Sequence, residues 1–263
     1  MPTPRAAPAA ATAPRASAAA ALGWRLQAFD SEHLGAPVGR LTVEGVETAA
    51  ALEGALPGLV EAWRERGVWL VSCRLPAEWT AEGRMLEAAG FRAIETLITY
   101  TRPLLRLPES ALAISPAGVA DAETCIEIGA TAFRLDRYHA DPEIDNGGAD
   151  ALKAAWVKNA LAGRADASLV VREDGAARGF VLCLRRGEEA VIDLIAVAPG
   201  HWGRGLGRAL VVGALAHYAE AAHTMRVATQ VTNRASTALY QGLGFRELGR
   251  ARTYHWINRE ARP

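Results

Sequence analysis

The amino-acid sequence predicts an α/β fold, and the order of its strand and helix patterns carries that prediction. A β-branched apolar run at 191–197 enters a Pro-Gly turn, glycines follow at alternate positions, and an amphipathic helix starts directly after them. A second strand pattern at 225–231 leads into a short helix at 235–243, which Gly244 ends. Strands and helices that alternate in this way are typical of a sheet covered by helices.

The segments before and after the glycine loop repeat this alternation. Apolar residues recur at helical spacing in some of them and run continuously or alternate in others. Helices are predicted near 59–66, 120–131, 149–161 and 206–221, and strands near 68–73, 111–115, 168–172 and 179–184.

Length and composition limit the classes of protein to consider. The chain has 263 residues, of which 50% are hydrophobic, enough for one large or two small domains with a buried core. Its 29 Lys and Arg side chains equal its 29 Asp and Glu side chains, and no basic block occurs, so we expect no nucleic-acid partner. No apolar run is long enough to span a bilayer, so we expect no membrane partner. Cys73, Cys125 and Cys183 lack metal-ligand spacing, so we expect no metal site and reduced thiols in the cytoplasm.

The glycines at 203, 205 and 207 favour an anion site, because free backbone N–H groups and a helix N-terminus meet there. Two familiar phosphate loops do not fit. A Walker A loop requires Lys and then Ser or Thr where this chain has Arg208 and Ala209, and a dinucleotide loop requires a glycine at 208. The alternative is a tight turn in which glycine only supplies a positive φ.

After the glycine loop and its helix come a strand, Asn233, a helix that contains Tyr240, and a Gly-Phe pair. This order resembles the GNAT superfamily of acyl-CoA-dependent N-acetyltransferases. The resemblance implies that family's fold, in which helices flank a mixed, mostly antiparallel sheet, and it implies acetyl-CoA as the acetyl donor. The family's loop usually reads Arg/Gln-x-x-Gly-x-Gly/Ala and cradles the pyrophosphate of coenzyme A. Gly205 and Gly207 match this pattern, whereas Trp202 stands at its first position.

The resemblance also implies roles for single residues. Tyr240 matches the general acid that protonates the leaving thiolate, although a tyrosine at this helix position is also typical of a core. Asn233 matches a contact to the cofactor arm, or is only the N-cap of the following helix. Backbone N–H groups at 195–197 match the donors to the thioester oxygen. The cofactor-binding residues implied in this way are Ile195, Ala196, Val197, Trp202, Gly203, Arg204, Gly205, Leu206, Gly207, Asn233 and Tyr240.

The group that accepts the proton of the attacking amine stays open. Asp193 interrupts an apolar strand pattern, and His139 and Asp141 lie in a polar loop, so each is a candidate. Because water can carry this proton away, Tyr240 is the one residue that we predict to be catalytic.

One sequence of features occurs twice along the chain. Gly90-Phe91-Arg92 and Gly244-Phe245-Arg246 each follow a helix and precede a strand that closes on Thr-Tyr. We predict two tandem halves, although a helix followed by Gly-Phe is common enough to recur by chance. The first half is degenerate, because it lacks a glycine loop and has Leu86 where the second has Tyr240. The predicted divisions are a disordered Ala/Pro-rich tail (1–22), a degenerate GNAT-like domain (23–105), a linker (106–110), the catalytic domain (111–258) and a C-terminal tail (259–263).

The loop at 133–143 bears on the acceptor. Arg134, Arg137, Tyr138 and His139 lie close together there, and they suit a diphosphate-linked substrate. Guanidinium groups bind phosphate oxygens in a fork, and a tyrosine ring can stack on a base. A polar surface loop is the alternative interpretation.

This loop and the segments at 29–35, 156–159 and 226–230 resemble the TDP-fucosamine acetyltransferase group of the superfamily. The resemblance implies a small-molecule acceptor, the 4-amino group of a TDP-linked deoxy-amino-sugar, and it leaves room for a homodimer. Two alternatives remain open. The acceptor could be another amine, such as an aminoglycoside or a peptide or protein N-terminus, or the chain could be an acyl-CoA-binding regulatory module without turnover.

Overall fold

The computed structural model describes residues 21–45 and 48–263. Its strands are β1 (Ala21–Leu26), β2 (Val38–Glu44), β3 (Leu70–Pro76), β4 (Arg92–Pro103), β5 (Ile114–Pro116), β6 (Ala167–Glu173), β7 (Ala176–Arg186), β8 (Glu189–Val197), β9 (Thr224–Gln230) and β10 (Arg246–Ile257). Its helices are α1 (Ala28–Leu34), α2 (Thr48–Glu65), α3 (Thr80–Ala88), α4 (Ala122–Ala132), α5 (Asn146–Asn159), α6 (Leu206–His217) and α7 (Arg234–Gly242). Short turns of other helix types lie at Val119–Asp121, Ala160–Arg164 and Arg259–Ala261.

These strands form one sheet with the order β1-β2-β3-β10-β4-β9-β8-β7-β6-β5. Within the described residues, β2–β3 and β8–β9 are parallel pairs, and the other neighbours are antiparallel. The predicted mixed, mostly antiparallel sheet flanked by helices is therefore confirmed.

Helices cover both faces of the sheet. Adjacent residues of a strand point to opposite faces, and β7 shows which helix lies on which side. Val181 packs in one cluster with Leu210 of α6, whereas Phe180 packs in another with Cys125 of α4. α5 lies beside α4, and α2 covers β2 and β3 with its buried Trp63. No described helix combines the length and the apolar character that crossing a bilayer requires.

Two long strands cross between the parts of the chain that the sequence predicts to be halves. β4 lies between β10 and β9, and β10 lies between β3 and β4. Each of these strands follows one of the two Gly-Phe-Arg segments, so each predicted half places its last strand beside strands of the other. We therefore propose that the halves at 23–105 and 111–258 are related units that share one sheet.

In each parallel pair the two strands are hydrogen-bonded at one end and separate toward the other, so that the pair forms a V. The β8–β9 pairing runs from Glu189 opposite Thr224 to Ile192 opposite Val227 and then stops, although β8 continues to Val197. The β2–β3 pairing also stops after four residues of each strand. The β9-facing backbone edge at the end of β8 consequently has no strand partner, which leaves hydrogen-bonding groups free for a ligand.

The chain ends differ from the sequence prediction. The predicted tail of residues 1–22 extends too far, because Ala21 and Leu22 already pair with β2; the rest of that tail lies outside the described residues. The predicted linker 106–110 falls in a stretch without helix or strand. The predicted C-terminal tail 259–263 begins with a 3-10 turn.

Candidate active site

The glycine loop presents a row of free donors. In the described part of the chain, the backbone N–H groups of Gly203 and of residues 205–208 donate to no other backbone or side-chain oxygen. Gly203 and Gly205 have φ values of +76° and +82°, and a Cβ atom built on either one meets nothing within 4 Å. Gly205 is the N-cap of α6 and brings no side-chain cap. Free N–H groups at a helix N-terminus with open space before them fit a pyrophosphate group.

The side chains around this loop are occupied elsewhere. Trp202 is largely exposed, and its Nε1 donates to the Val197 carbonyl oxygen at 3.1 Å. Arg204 forms an ion pair with Glu173 at 3.0 Å. Leu206 is buried in the core and anchors the start of α6. The loop therefore offers an anion chiefly its backbone N–H groups, as expected with tryptophan at the family's Arg/Gln position.

The end of β8 carries the predicted oxyanion donors. The register with β7 shifts at Asp193, which forms a bulge between Ile192 and Leu194. A bulge re-aims the strand that follows it, and here that strand is the segment with Ile195, Ala196 and Val197, which pairs with β7 but not with β9. These predicted residues thus lie on the open edge of the V, directly before the glycine loop.

Tyr240 and Asn233 lie on α7. Tyr240 is 2% exposed, its hydroxyl is hydrogen-bonded to Ser236, and its ring lies 6.0 Å from that of Tyr100. Burial raises its pKa well above the ordinary value, so the phenol keeps its proton at neutral pH. The Asn233 side chain accepts from the Ser236 N–H at 3.1 Å, so it is an N-cap in this structure.

The candidate bases from the sequence are all paired with charged groups. Asp193 is ion-paired with Arg164 at 2.9 Å. Asp141 is fully buried between His255, at 2.9 Å, and Arg92, at 2.6 Å. His139 is also held between two carboxylates, as described next, so none of the three is a free base.

Two of the four predicted acceptor-loop residues are structural, which corrects the sequence interpretation. Tyr138 is fully buried, and its hydroxyl donates to Asp30, so its ring cannot stack on a base. His139 lies between Asp136, at 2.6 Å, and Asp150, at 2.9 Å. Burial alone would lower the pKa of His139, but these hydrogen bonds outweigh it and raise the pKa, which favours a buried imidazolium.

The two arginines of this loop differ in their surroundings. Arg134 is half exposed and ion-paired with Asp150 at 2.7 Å. Arg137 donates to the Tyr138 hydroxyl at 3.0 Å, lies 3.6 Å from Asp30, and covers the ring of Trp156 at 5.8 Å. Arg137 is thus held in place from several sides, and its contact with the acceptor stays a prediction.

Glu95 of β4 is a candidate site residue that the sequence alone does not reveal. Glu95 is 9% exposed and accepts hydrogen bonds from Arg74 at 3.2 Å, Thr253 at 3.1 Å and Gln230 at 3.1 Å. Because Gln230 is the last residue of β9, this carboxylate lies beside the V between β8 and β9. The sequence does show an acidic residue among the apolar residues of 94–98. It does not show that β4 lies between β10 and β9, which is what brings Glu95 to this place.

Comparisons with known proteins show which family this chain resembles. The Acetyltransferase (GNAT) family profile matches residues 132–245. A dTDP-fucosamine acetyltransferase of Escherichia coli is 30% identical over 174 residues, which cover 65% of this chain and 74% of that protein. The spore coat polysaccharide biosynthesis protein SpsD of Bacillus subtilis is 29% identical over 151 residues, or 57% of this chain. The chain spans about half, 52%, of the length of SpsD.

Solved structures share the fold. A GCN5-related N-acetyltransferase from Sphaerobacter thermophilus superposes with a TM-score of 0.65 at 17% identity, over 91% of this chain and 76% of that one. A tandem GNAT protein from the clavulanic acid biosynthesis pathway superposes with a TM-score of 0.58 at 16% identity, over 87% and 77%. At these identities the likeness concerns the fold alone.

Proposed function

This chain belongs to the GNAT family of acetyltransferases, and on that premise we propose that it acetylates the 4-amino group of a TDP-linked deoxy-amino-sugar with acetyl-CoA. The observation that carries the proposal is the row of free N–H groups at the start of α6, which adjoins the open edge of β8. The choice of acceptor is supported by the 30% identity to a dTDP-fucosamine acetyltransferase.

Acetyl-CoA, when bound, supplies an acetyl group activated as a thioester. The backbone N–H groups of residues 203–207 would hold its pyrophosphate, and the open edge at Ile195–Val197 would bind along its arm. N–H groups on that edge would also stabilise the negative charge that develops on the thioester oxygen. Asn233 would serve as the helix cap that orients α7 at this point.

Tyr240 is the proposed general acid. An amine that attacks the thioester carbon forms a carbon–nitrogen bond as the carbon–sulfur bond breaks. The amine gives up one proton, which water can carry away, and the departing thiolate takes up one. A phenol that burial keeps protonated can supply it, and the hydrogen bond to Ser236 orients the hydroxyl. Glu95, on the opposite face from Tyr240, is proposed to accept a hydrogen bond from the acceptor amine.

A second class of function, an acyl-CoA-binding module without turnover, would require neither a protonated phenol nor a carboxylate beside the V. Another amine acceptor, such as an aminoglycoside, would favour a site lined with carboxylates. The described acceptor side instead carries Arg137, which favours an anionic acceptor.

An assay of thiol release from acetyl-CoA across an amine panel tests the proposal. The panel contains TDP-linked 4-amino-4,6-dideoxy-sugars, an aminoglycoside and a peptide with a free N-terminus. We expect the highest kcat/KM with a TDP-amino-sugar, together with a mass gain of one acetyl group in its product. A higher kcat/KM with the aminoglycoside or the peptide would refute the acceptor, and no turnover with any amine would refute the enzymatic proposal.

A further inference from the structure

Three arginines from distant parts of the chain line one cleft on the α5 face of the sheet. Arg40 of β2, Arg74 of β3 and Arg137 of the acceptor loop line it together with Ser72 and Thr253. The alternation of strand residues explains the convergence, because Val38 and Leu70, two residues before Arg40 and Ser72 respectively, pack with α5 in one cluster. The cleft is therefore built mainly by the N-terminal strands.

The positive charge in this cleft exceeds the negative charge. Arg74 is paired with Glu95 at 3.2 Å, and Arg137 lies 3.6 Å from Asp30. Arg40 forms no hydrogen bond or ion pair with any other described residue, although it is partly buried. Arg25 stands directly opposite Arg40 in the antiparallel register of β1 and β2, and residues in this relation share a face.

The neighbouring charges act on one another. Burial, and then the charge of Arg137, lower the pKa of Arg40. The same two causes lower the pKa of Arg74 to about 10. Like charges that are directly opposite, and partly buried cations without a partner, both destabilise a fold. Such violations of local rules are expected at functional sites, where a ligand supplies the missing partner.

The charge count indicates what that partner is. Four guanidinium groups, those of Arg25, Arg40, Arg74 and Arg137, adjoin two carboxylates, which leaves two positive charges. A diphosphate diester carries one negative charge on each phosphate, and paired guanidinium forks bind phosphate oxygens in two-point contacts. The cleft is small, about 10 Å³, so the partly exposed ends of Arg40 and Arg74 would swing outward to receive the diphosphate.

The cleft adjoins the proposed reaction centre through a single side chain, that of Glu95. Arg74 and Thr253 on its wall both donate to Glu95, and the other oxygen of Glu95 accepts from Gln230 at the end of β9. One side chain thus separates the cleft from the V between β8 and β9. A sugar ring could lie across that gap, with its phosphates on the arginines and its amine toward Glu95.

We propose that this cleft binds the diphosphate of a nucleotide-linked amino-sugar, and that Arg40 and Arg74 of the N-terminal strands determine this specificity together with Arg137. The inference rests on the proposed function and adds to it two residues outside the predicted catalytic domain, together with the position of the diphosphate.

Arg40→Ala is the sharpest test, because this change removes no described hydrogen bond or ion pair. We expect the KM for a TDP-4-amino-sugar to rise at least about tenfold, the KM for acetyl-CoA to stay unchanged, and kcat/KM for the methyl glycoside of the same amino-sugar to stay unchanged. Arg186→Ala is the matched control, since Arg186 is an exposed arginine at the far end of β7; it should change none of these values.

Stability and direct binding separate the remaining interpretations. A structural arginine would lower Tm when removed, whereas Arg40→Ala should keep or raise Tm because it relieves repulsion from Arg25 and Arg137. Calorimetry with dTDP should show at least about tenfold weaker binding in Arg40→Ala, and binding to the wild type should weaken with salt.

The possible failures are distinguishable. If the wild type acetylates the TDP-amino-sugar and Arg40→Ala does so with an unchanged KM, the inference is wrong and the proposed function stands. If no nucleotide-linked amino-sugar is acetylated, the proposed function fails. In that case inorganic pyrophosphate that binds the wild type but not Arg40→Ala supports the anion cleft, and pyrophosphate that binds neither overturns it.

Discussion

Replacing Tyr240 by phenylalanine separates a catalytic tyrosine from a core tyrosine. The change removes one hydroxyl group and leaves the ring in its contacts with Tyr100 and Phe245, whose rings lie at 6.0 and 5.7 Å. Both interpretations of Tyr240 predict some loss of stability. They differ in what they predict for the rate.

The two magnitudes follow from what the hydroxyl does. Its hydrogen bond with Ser236 is buried, and such a bond contributes about 0.5–1.5 kcal/mol to stability. In a chain of this size that corresponds to a fall in Tm of roughly 1–6 °C. Loss of a general acid lowers kcat by roughly 10²–10⁴-fold. A core role therefore predicts the first effect alone.

The assay is steady-state thiol release between pH 7 and 9, with Tm measured on the same samples. Because burial raises the pKa of Tyr240, its phenol stays protonated across this range and should add no alkaline limb to the wild-type kcat profile. Tyr100→Phe is the matched control, since Tyr100 is equally buried in the same cluster. A kcat for Tyr240→Phe within threefold of that for Tyr100→Phe would refute the general-acid assignment.

Other parts of the chain make equally direct predictions. Gly205→Ala should raise the KM for acetyl-CoA about tenfold or more by filling the space before the free N–H groups. Gly200→Ala is the control, because Gly200 has a matching φ of +83° and alanine there carries the same backbone strain of about 1–2 kcal/mol, but it should leave this KM unchanged. Equal KM values for the two variants would contradict the proposed pyrophosphate site. Burial alone would raise the pKa of Asp136, but hydrogen bonds and nearby cations lower it from 3.8 to about 2. Its carboxylate thus stabilises the fold above pH 4 and loses this effect as the pH falls through 2. Asp136→Asn should therefore lower the free energy of unfolding in urea by about 2 kcal/mol at pH 7, and the free energy of unfolding of this variant should depend less on pH in the acid range. A fragment of residues 111–258 should not fold alone, because β9 and β10 lose β4 between them; co-expression with residues 1–110 should restore a soluble complex, and a cooperative melt of the lone fragment would refute this.

Elements that depend on local chemistry were predictable from the sequence. The strand expected at 225–231 is β9 (Thr224–Gln230), and the helix expected at 235–243 is α7 (Arg234–Gly242). In both, turn residues and an apolar period fix the element within a few residues of its own sequence. The helix expected to reach 221 ends at His217 instead, because the chain turns at 218–222.

The roles of acceptor-loop residues were not predictable, because they depend on partners far away in the chain. Tyr138 is buried through a hydrogen bond to Asp30, 108 positions earlier. Glu95 of β4 accepts a hydrogen bond from Gln230 of β9, which lies 135 positions later in the chain. Residue type alone indicates that such groups are polar, and only the topology decides whether they face a ligand or one another.

The position of β4 between β10 and β9 indicates a function for the N-terminal unit, although this unit lacks a glycine loop. A unit that only supported the fold would need apolar contacts, which α2 and Trp63 already provide. β4 does more, because it brings Glu95 to the end of β9 and Tyr100 to the ring of Tyr240. β3 then adds Arg74 next to that carboxylate, and Arg40 of β2 lines the same cleft as Arg74. We therefore propose that the N-terminal strands form the acceptor wall of the site and that the glycine loop and α7 form its cofactor wall, so that each half would supply what the other lacks.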